Sequence, residues 1–383
     1  MKVVAHILSY YPGQEGLTSF CRGLGRAFED VPEVEVPIIS FRFKPPREVQ
    51  ENEPLVINFP HQPGHPFSLP GTFLKALDDG ELRLDGAIMH GAYSPQVHAL
   101  SRALKKRGIP YIFMPHDPYV KSLRRHHAVR KFVYWHFCEK WVIENAAAVQ
   151  LLSPSHEAPL RELGCKVPVY TVANGCDPAD LARIPLDARV PGKSEDFVIQ
   201  FLGRMDRNHK GLDLLLRGYA GFLRKIPGDA KVKLVLSGND WEDRPFLESL
   251  AGSLGLGERV EFTGRVTDHS VTVHSRADLS VLCSRFDGFG LTIVEALLAG
   301  RPVLVSRAAG VASFVDEAQA GFIVEPREAS ICEGFLLAWE QRGELAAMGK
   351  RGQRFVVENL TWEMIARRSA AIYSEVFGVV SKQ

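Results

Sequence analysis

The chain has 383 residues, 45% of them hydrophobic and 24% charged, with a formal net charge of +1. That length suits two domains of ordinary size, and the near-neutral charge supplies no global field for nucleic acid. Six cysteines (21, 138, 165, 176, 283, 332) show no Cys-x-x-Cys pairing, and no apolar run approaches the roughly 18 residues of a membrane span. The composition therefore speaks against a disulfide scaffold, a zinc module and an integral membrane protein, and for reduced, buried thiols.

The opening Met1-Lys2-Val3-Val4-Ala5-His6-Ile7-Leu8 is too short for a secretion signal and reads as a first strand. The first half alternates short apolar runs with helical patterns, which predicts a parallel sheet covered by helices. Strands are predicted at 3–8, 34–40, 54–59, 85–90, 110–115, 148–153 and 169–173. After the first, Pro12-Gly13-Gln14-Glu15-Gly16 leads into a helix ending near Phe28, and Gly16 allows close backbone approach to a ligand. Residues 41–53 read as a surface loop. Residues 60–72 are broken by proline and glycine, and a loop that long is either disordered or functional.

Two predicted strands end in histidine, His90 and His116, and ligands of open α/β sheets bind outside the carboxyl ends of strands. Residues 120–138 carry Lys121, Arg124, Arg125, His126, His127, Arg130 and Lys131 beside Phe132, Tyr134, Trp135 and Phe137, without an acid. Such a stretch over 121–137 suits an anionic membrane surface or a lipid diphosphate. It equally suits a solvated helix whose other face is core, or nucleic acid.

Residues 178–195, with three prolines and a glycine, read as a linker. The alternation restarts at 197–203. The loop Gly203-Arg204-Met205-Asp206-Arg207-Asn208-His209-Lys210-Gly211 then brings two cations to a strand-to-helix turn. Arg204, as a fork of donors, and Lys210, as a point charge, can neutralise a diphosphate. Further strands are predicted at 233–238, within 260–266, and at 279–283, 302–306 and 321–325. Between the third and fourth of these lie Asp287-Gly288-Phe289-Gly290 and a helix over 291–299. Strand, glycine turn, helix, strand is a phosphate-binding unit, because free N–H groups and the helix dipole meet at the turn. Asp287 and Glu295 bracket that turn. No Gly-x-Ser-x-Gly, P-loop or zinc-ligand spacing is present. Arg204, Lys210 and the helix dipole could then meet a bound diphosphate without metal.

The run Asp-Gly-Phe-Gly-Leu-x-x-x-Glu-Ala-x-x-Ala-Gly-x-Pro-Val from Asp287 resembles the signature of retaining glycosyltransferases of family 4, with Asp287 where Glu is usual. Gly203-Arg204…Lys210-Gly211 and Asn174-Gly175-Cys176-Asp177 are similar to further motifs of that family. The resemblance covers nearly the whole chain. It implies an α/β GT-B fold, two Rossmann-like domains with parallel sheets facing across a cleft. Residues 1–180, with a final helix over 362–383 packed back on them, would form the acceptor side, and residues 190–361 the nucleotide-sugar side.

By residue, the resemblance gives Glu295 the ribose hydroxyls and Asp287 the hydroxyls of the sugar ring. Phe289, Gly290 and Leu291 would offer backbone N–H groups there, and Leu291 and Thr292 would meet phosphate. Arg204 and Lys210 would stabilise the leaving diphosphate. Gly264, Arg265 and Val266 would contact the base, Gly16 the donor, and His116 the transferred sugar. The implied activity moves a hexosyl unit from UDP-glucose or a related UDP-sugar to a saccharide or lipid-linked saccharide, in cell-surface polysaccharide synthesis. No metal, cofactor or nucleic acid is implied, and the location is the cytoplasm or the inner face of the membrane. Two alternatives share the fold: a nucleotide-sugar epimerase, and a non-catalytic sugar-nucleotide binding protein.

Overall fold

The computed structural model describes residues 2–8, 15–41, 55–61, 64–116, 119 and 128–378. The chain divides into two compact units, Met1–Gly175 with Trp362–Gln383, and Cys176–Thr361. In both, apolar runs become short parallel strands, the central ones buried on both faces, as a sheet covered by helices requires.

In the first unit the described strands are β1 (Lys2–Leu8), β2 (Val34–Glu35), β3 (Ile38–Ser40), β4 (Val56–Asn58), β5 (Gly86–His90), β6 (Tyr111–Met114), β7 (Ala148–Leu151) and β8 (Val169–Thr171). They lie in the order β4-β3-β1-β5-β6-β7-β8, with β2 also on β1. The single strand expected over 34–40 is two. Pro37 has no N–H to give a ladder, so β2 and β3 pair separately with β1, and His6 N–H donates to the Pro37 carbonyl at 2.9 Å. Successive connections leave β1 to one side and reach β5 on the other, so the β1/β5 junction is a topological switch point.

The helix Trp362–Phe377 belongs to this first unit. The Trp362 indole lies on Gly23 and Gly175, where a Cβ would overlap the ring. Lys2 Nζ donates to the carbonyls of Phe377 and Gly378 at 3.1 and 2.7 Å, and the Tyr170 hydroxyl donates to Glu375 at 2.6 Å.

The second unit holds β9 (Phe197–Leu202), β10 (Val232–Ser237), β11 (Val260–Gly264), β12 (Leu279–Leu282), β13 (Val303–Ser306) and β14 (Gly321–Val324). Their order, β11-β10-β9-β12-β13-β14, is that of a dinucleotide-binding sheet, with its switch point between β9 and β12. The expected linker 178–195 is ordered onto this unit. Asp177 caps the short 3-10 helix Pro178–Arg183 by accepting from Ala179 N–H at 2.9 Å. Asp278, fully buried, accepts from Arg189 Nε at 2.6 Å and from the N–H groups of Gly192 and Val198 at 2.8 Å. A buried carboxylate needs such partners, and meeting the need pins 189–192 against the sheet. The second unit thus begins at Cys176 rather than at 190.

Candidate active site

The two loops flanking the β9/β12 switch point carry the charged motifs, and the backbone fastens them together. Asp206, 3% exposed, accepts from the N–H groups of Asn208 and His209, both at 3.0 Å, and so starts the single turn Arg207–Lys210. Its side chain also meets His209 Nδ1 at 2.6 Å; these contacts outweigh burial and hold its carboxyl below the usual range. Gly211 closes the turn at φ 63, and a Cβ there would strike the Cys283 carbonyl. Glycine is what lets this turn lie against the end of β12. Arg285 N–H donates to the His209 carbonyl at 2.9 Å, and the Arg285 guanidinium forks onto Asp213 through two bonds of 2.7 Å.

The result is an ion pair between the two motifs. Lys210 Nζ stands 2.5 Å from Asp287 Oδ2, with side-chain exposures of 18% and 13%. Asp287 Oδ1 accepts from Phe289 N–H at 3.3 Å. Phe289, expected to offer that N–H to a ligand, therefore has it engaged, and its ring is buried against Phe314. Gly290 follows at φ 99, where a Cβ would come within 2.9 Å of Leu282 Cδ2. It caps the helix Leu291–Leu298 without a side-chain bond. Among the described residues the N–H groups of Gly290, Leu291 and Thr292 have no acceptor. A positive helix end with free donors thus sits beside the Lys210–Asp287 pair.

Glu295 lies one turn inside that helix. Burial pushes its carboxyl up from 4.5 to about 7; a hydrogen bond from Ser270 opposes the rise and the charge of Asp180 adds to it. Arg204 does not join Lys210. It is exposed, with its guanidinium 4.7 Å from the centroid of the Trp241 ring. Met205 N–H, donating to the Asn239 carbonyl at 2.9 Å, ties this part of the loop to the end of β10. Gly264, Arg265 and Val266 lie at the same carboxyl edge beyond β11; Gly264 has φ 71, its carbonyl accepts from Gly238 N–H at 2.8 Å, and Arg265 is exposed.

In the first unit, Gly16 is exposed near the start of the helix Glu15–Phe28, with open space where a Cβ would stand. Residues 9–14 lie outside the described residues. His116, half-buried at φ 62 beyond β6, is the end of a line of side chains. His90 Nδ1 meets His116 Nε2 at 2.7 Å, His6 Nδ1 meets His90 Nε2 at 2.9 Å, and His6 Nε2 meets the Tyr373 hydroxyl at 3.0 Å. His6, His90 and Cys21 also offer one ligand atom each within 4.8 Å of one another.

The basic aromatic stretch is described from 128 on; Lys121, Arg124, Arg125, His126 and His127 lie outside the described residues. The helix Ala128–Tyr134 passes through a π segment, Trp135–Glu139, into the helix Lys140–Glu144. The π segment turns Glu139 inward, where it accepts from Tyr93 N–H at 3.1 Å and from the Tyr119 hydroxyl at 2.6 Å. Trp135 packs on Tyr119, while Val129, Phe132 and Phe137 are 79, 66 and 76% exposed. An open groove of ≈ 760 Å³ runs past Phe67, Val133, Phe137 and Arg130.

Asp206, Asp213, Arg285, Ser270 and Asp180 carry or orient the site, and sequence reading passed over all five. Only Asp206 left a signal, a capping Asp before the short turn.

Two sheets of dinucleotide-binding order, with a cation, an acid and an open helix start at one switch point, define an α/β protein of the GT-B glycosyltransferase class. The fold has solved counterparts. A sucrose-phosphate synthase from Thermosynechococcus elongatus aligns at TM-score 0.76 and 20% identity over 99% of this chain and 100% of that one. The Anabaena protein HepE in complex with UDP-glucose aligns at TM-score 0.72 and 18% identity over 98% and 100%. At such identities the likeness is one of fold. Residues 15–175 match the model of the glycosyl transferase 4-like domain, and residues 185–355 that of glycosyl transferases group 1. The chain belongs to the group 1, family 4-type glycosyltransferases. Among curated relatives, a D-inositol 3-phosphate glycosyltransferase of Corynebacterium kroppenstedtii is 30% identical over 184 residues, 46% of this chain and 40% of that protein. The chain spans about half or less of the length of the first curated relatives it matches.

Proposed function

We propose that this protein transfers a hexosyl unit from a nucleotide sugar, UDP-glucose or a related UDP-sugar, to a saccharide or lipid-linked saccharide acceptor, with retention of anomeric configuration. The observation that carries the reading is the contact of Lys210 with Asp287 beside the open start of the helix Leu291–Leu298. In it a cation for the diphosphate, free N–H donors and an acid for the sugar hydroxyls share one edge of one sheet. Family membership supports the reaction class, and the UDP-glucose held by the HepE structure supports the donor.

In this reading the diphosphate takes the Lys210 ammonium and the free N–H groups of Leu291 and Thr292. Asp287, released from Lys210, accepts from the sugar hydroxyls, and Glu295 accepts from the ribose. Arg204 swings from Trp241 to the phosphates, and Gly264 to Val266 meet the base. The acceptor hydroxyl attacks on the face the diphosphate leaves, and a phosphate oxygen takes its proton. Charge that develops on the leaving phosphate is met by groups already in place.

The exposed Phe132 and Phe137 beside Arg130 support an acceptor presented at an anionic membrane surface, since apolar side chains and a cation on one helix suit the headgroup boundary. Synthesis of cell-surface polysaccharide at the inner face of the membrane accords with that contact.

The test is transfer from radiolabelled UDP-glucose and related donors. Lys210→Ala should slow transfer by about 100- to 1000-fold, the usual cost of one transition-state donor, with circular dichroism unchanged. Undiminished transfer by Lys210→Ala and Glu295→Ala would reject the assignment. Conversion of the UDP-sugar to an epimer in the absence of acceptor, followed by NMR, would replace it with an epimerase.

A further inference from the structure

Arg204, Arg207 and Lys210 share one loop and rest on three different kinds of partner. Lys210 pairs with Asp287. Arg207 Nε stands 3.0 Å from Asp243 Oδ1, and its guanidinium lies 4.3 Å from the centroid of the Phe246 ring. Among the described residues Arg204 has no carboxylate in salt-bridge contact; its charge acts on Asp206 through space, and its guanidinium lies 4.7 Å from the centroid of the Trp241 ring.

The indole is itself held out from the fold. Trp241 is 55% exposed and lies in the loop 239–243 that follows β10. Glu242 beside it has φ 69, a left-handed backbone that costs energy in a non-glycine residue and persists only where the surroundings enforce it. Bonds on either side supply the enforcement. Met205 N–H donates to the Asn239 carbonyl at 2.9 Å, and Asp240 accepts from Arg244 N–H at 3.1 Å. Asp243 stands at the start of the helix Arg244–Ser253 without capping it; its carboxylate crosses instead to Arg207 N–H at 2.9 Å. The loop is thus tied at both ends to the loop of cations, with Trp241 between the ties.

A carboxylate in place of the ring would neutralise Arg204 and compete with a phosphate for the same N–H donors. An indole face attracts the cation without neutralising it, and an exposed contact of this kind is worth only about two- to fivefold in an equilibrium constant. Charge-assisted hydrogen bonds to a phosphate are worth more, about 10- to 100-fold. Exchange from ring to phosphate therefore runs downhill, and the contact given up is subtracted from the affinity. We propose that Trp241 is a positioning residue, a resting place that holds the Arg204 guanidinium away from any acid until a nucleoside diphosphate takes it. The diphosphate rests on the function proposed above, whereas the resting contact belongs to the ligand-free protein. Trp241 weakens the hold on donor and on departing UDP alike, which favours turnover over retention of product.

The test uses the full-length protein with UDP as the probe, by titration calorimetry and by fluorine resonance of fluorotryptophan-labelled protein. Trp241→Leu assigns the Trp241 signal among the five tryptophans. In the ligand-free protein Arg204→Ala should shift that signal. UDP should shift it in the unaltered protein and leave it in place in Arg204→Ala. By calorimetry Arg204→Ala should weaken UDP binding about 10- to 100-fold. Trp241→Leu should do the opposite and tighten it about two- to fivefold, with Trp241→Phe between, since phenylalanine keeps a poorer aromatic face. In the Arg204→Ala background Trp241→Leu should change nothing, a coupling that a merely structural tryptophan would not show. Thermal melts establish that each variant is folded. Binding by Trp241→Leu that is equal to or weaker than that of the unaltered protein would overturn the proposal. So would an effect of Trp241→Leu that persists without Arg204, or a Trp241 signal indifferent to Arg204→Ala in the free protein. Undiminished UDP binding by Arg204→Ala would reject both the diphosphate contact proposed above and the exchange built on it; weakened binding by Arg204→Ala with no gain from Trp241→Leu would reject the resting place alone.

Discussion

Glu295→Gln is the sharpest single perturbation the structure offers. The Glu295 carboxyl moves from its ordinary value of 4.5 to about 7 because burial disfavours its charge, with Asp180 adding to the shift and Ser270 opposing it. Between those two values the unfolded chain has released the proton while the folded chain keeps it. Folding therefore takes up a proton in this window, and stability falls as pH rises from 4.5 to 7, then levels off. At about 1.4 kcal/mol per pH unit, the full loss is about 3 kcal/mol. Glutamine keeps the shape and cannot ionise, so its variant lacks this slope. Denaturant unfolding of both proteins from pH 5 to pH 8 measures the difference directly. The unaltered protein should lose up to about 3 kcal/mol relative to Glu295→Gln across that range. Donor binding should run the other way. If Glu295 accepts from the ribose, as proposed, the hydroxyls need the carboxylate form, so affinity for a UDP-sugar should rise through pH 7 in the unaltered protein. In Glu295→Gln it should be flat and about 10- to 100-fold weaker, the worth of a hydrogen bond to a charged group. Parallel stability profiles for the two proteins would refute the account of the buried carboxyl.

Gly290→Ala should lower stability by about 1–3 kcal/mol, because it forces a side chain into a left-handed turn against Leu282; a thermal melt that matches the unaltered protein would contradict this. Asp206→Ala removes the cap of the turn that presents Lys210 and should cost about 1–2 kcal/mol by denaturant titration, with weaker donor binding by calorimetry. The double change Phe132→Ser with Phe137→Ser should abolish sedimentation with phosphatidylglycerol vesicles at low salt while leaving transfer to a soluble acceptor intact. Equal sedimentation of both proteins would remove the membrane from the proposal.

The second unit was legible because its chemistry is local. Asp287, Gly290 and Glu295 fall within nine residues of sequence, and each is explained by the turn it makes or the helix it starts. Strand periodicity placed the sheets for the same reason, and it failed only where a single residue, Pro37, broke a ladder. What stayed hidden is long-range. The Lys210–Asp287 contact spans 77 positions and the His6–Tyr373 contact 367, and neither distance leaves a trace in spacing. Asp278 was unreadable for another cause: its burial, not its neighbours in sequence, recruits Arg189, Gly192 and Val198 and draws the boundary of the second unit back to Cys176.

The helix Trp362–Phe377 closes the first unit although it is made after the whole of the second. Trp362 fills the space over Gly23 and Gly175, and Tyr373 completes the histidine line from the far end of the chain. During synthesis the second unit emerges entire and can fold while its predecessor still waits for its last wall. Chains cut short near residue 361 would keep the second core and leave the first one open to solvent, the form that quality control in a cell is built to catch.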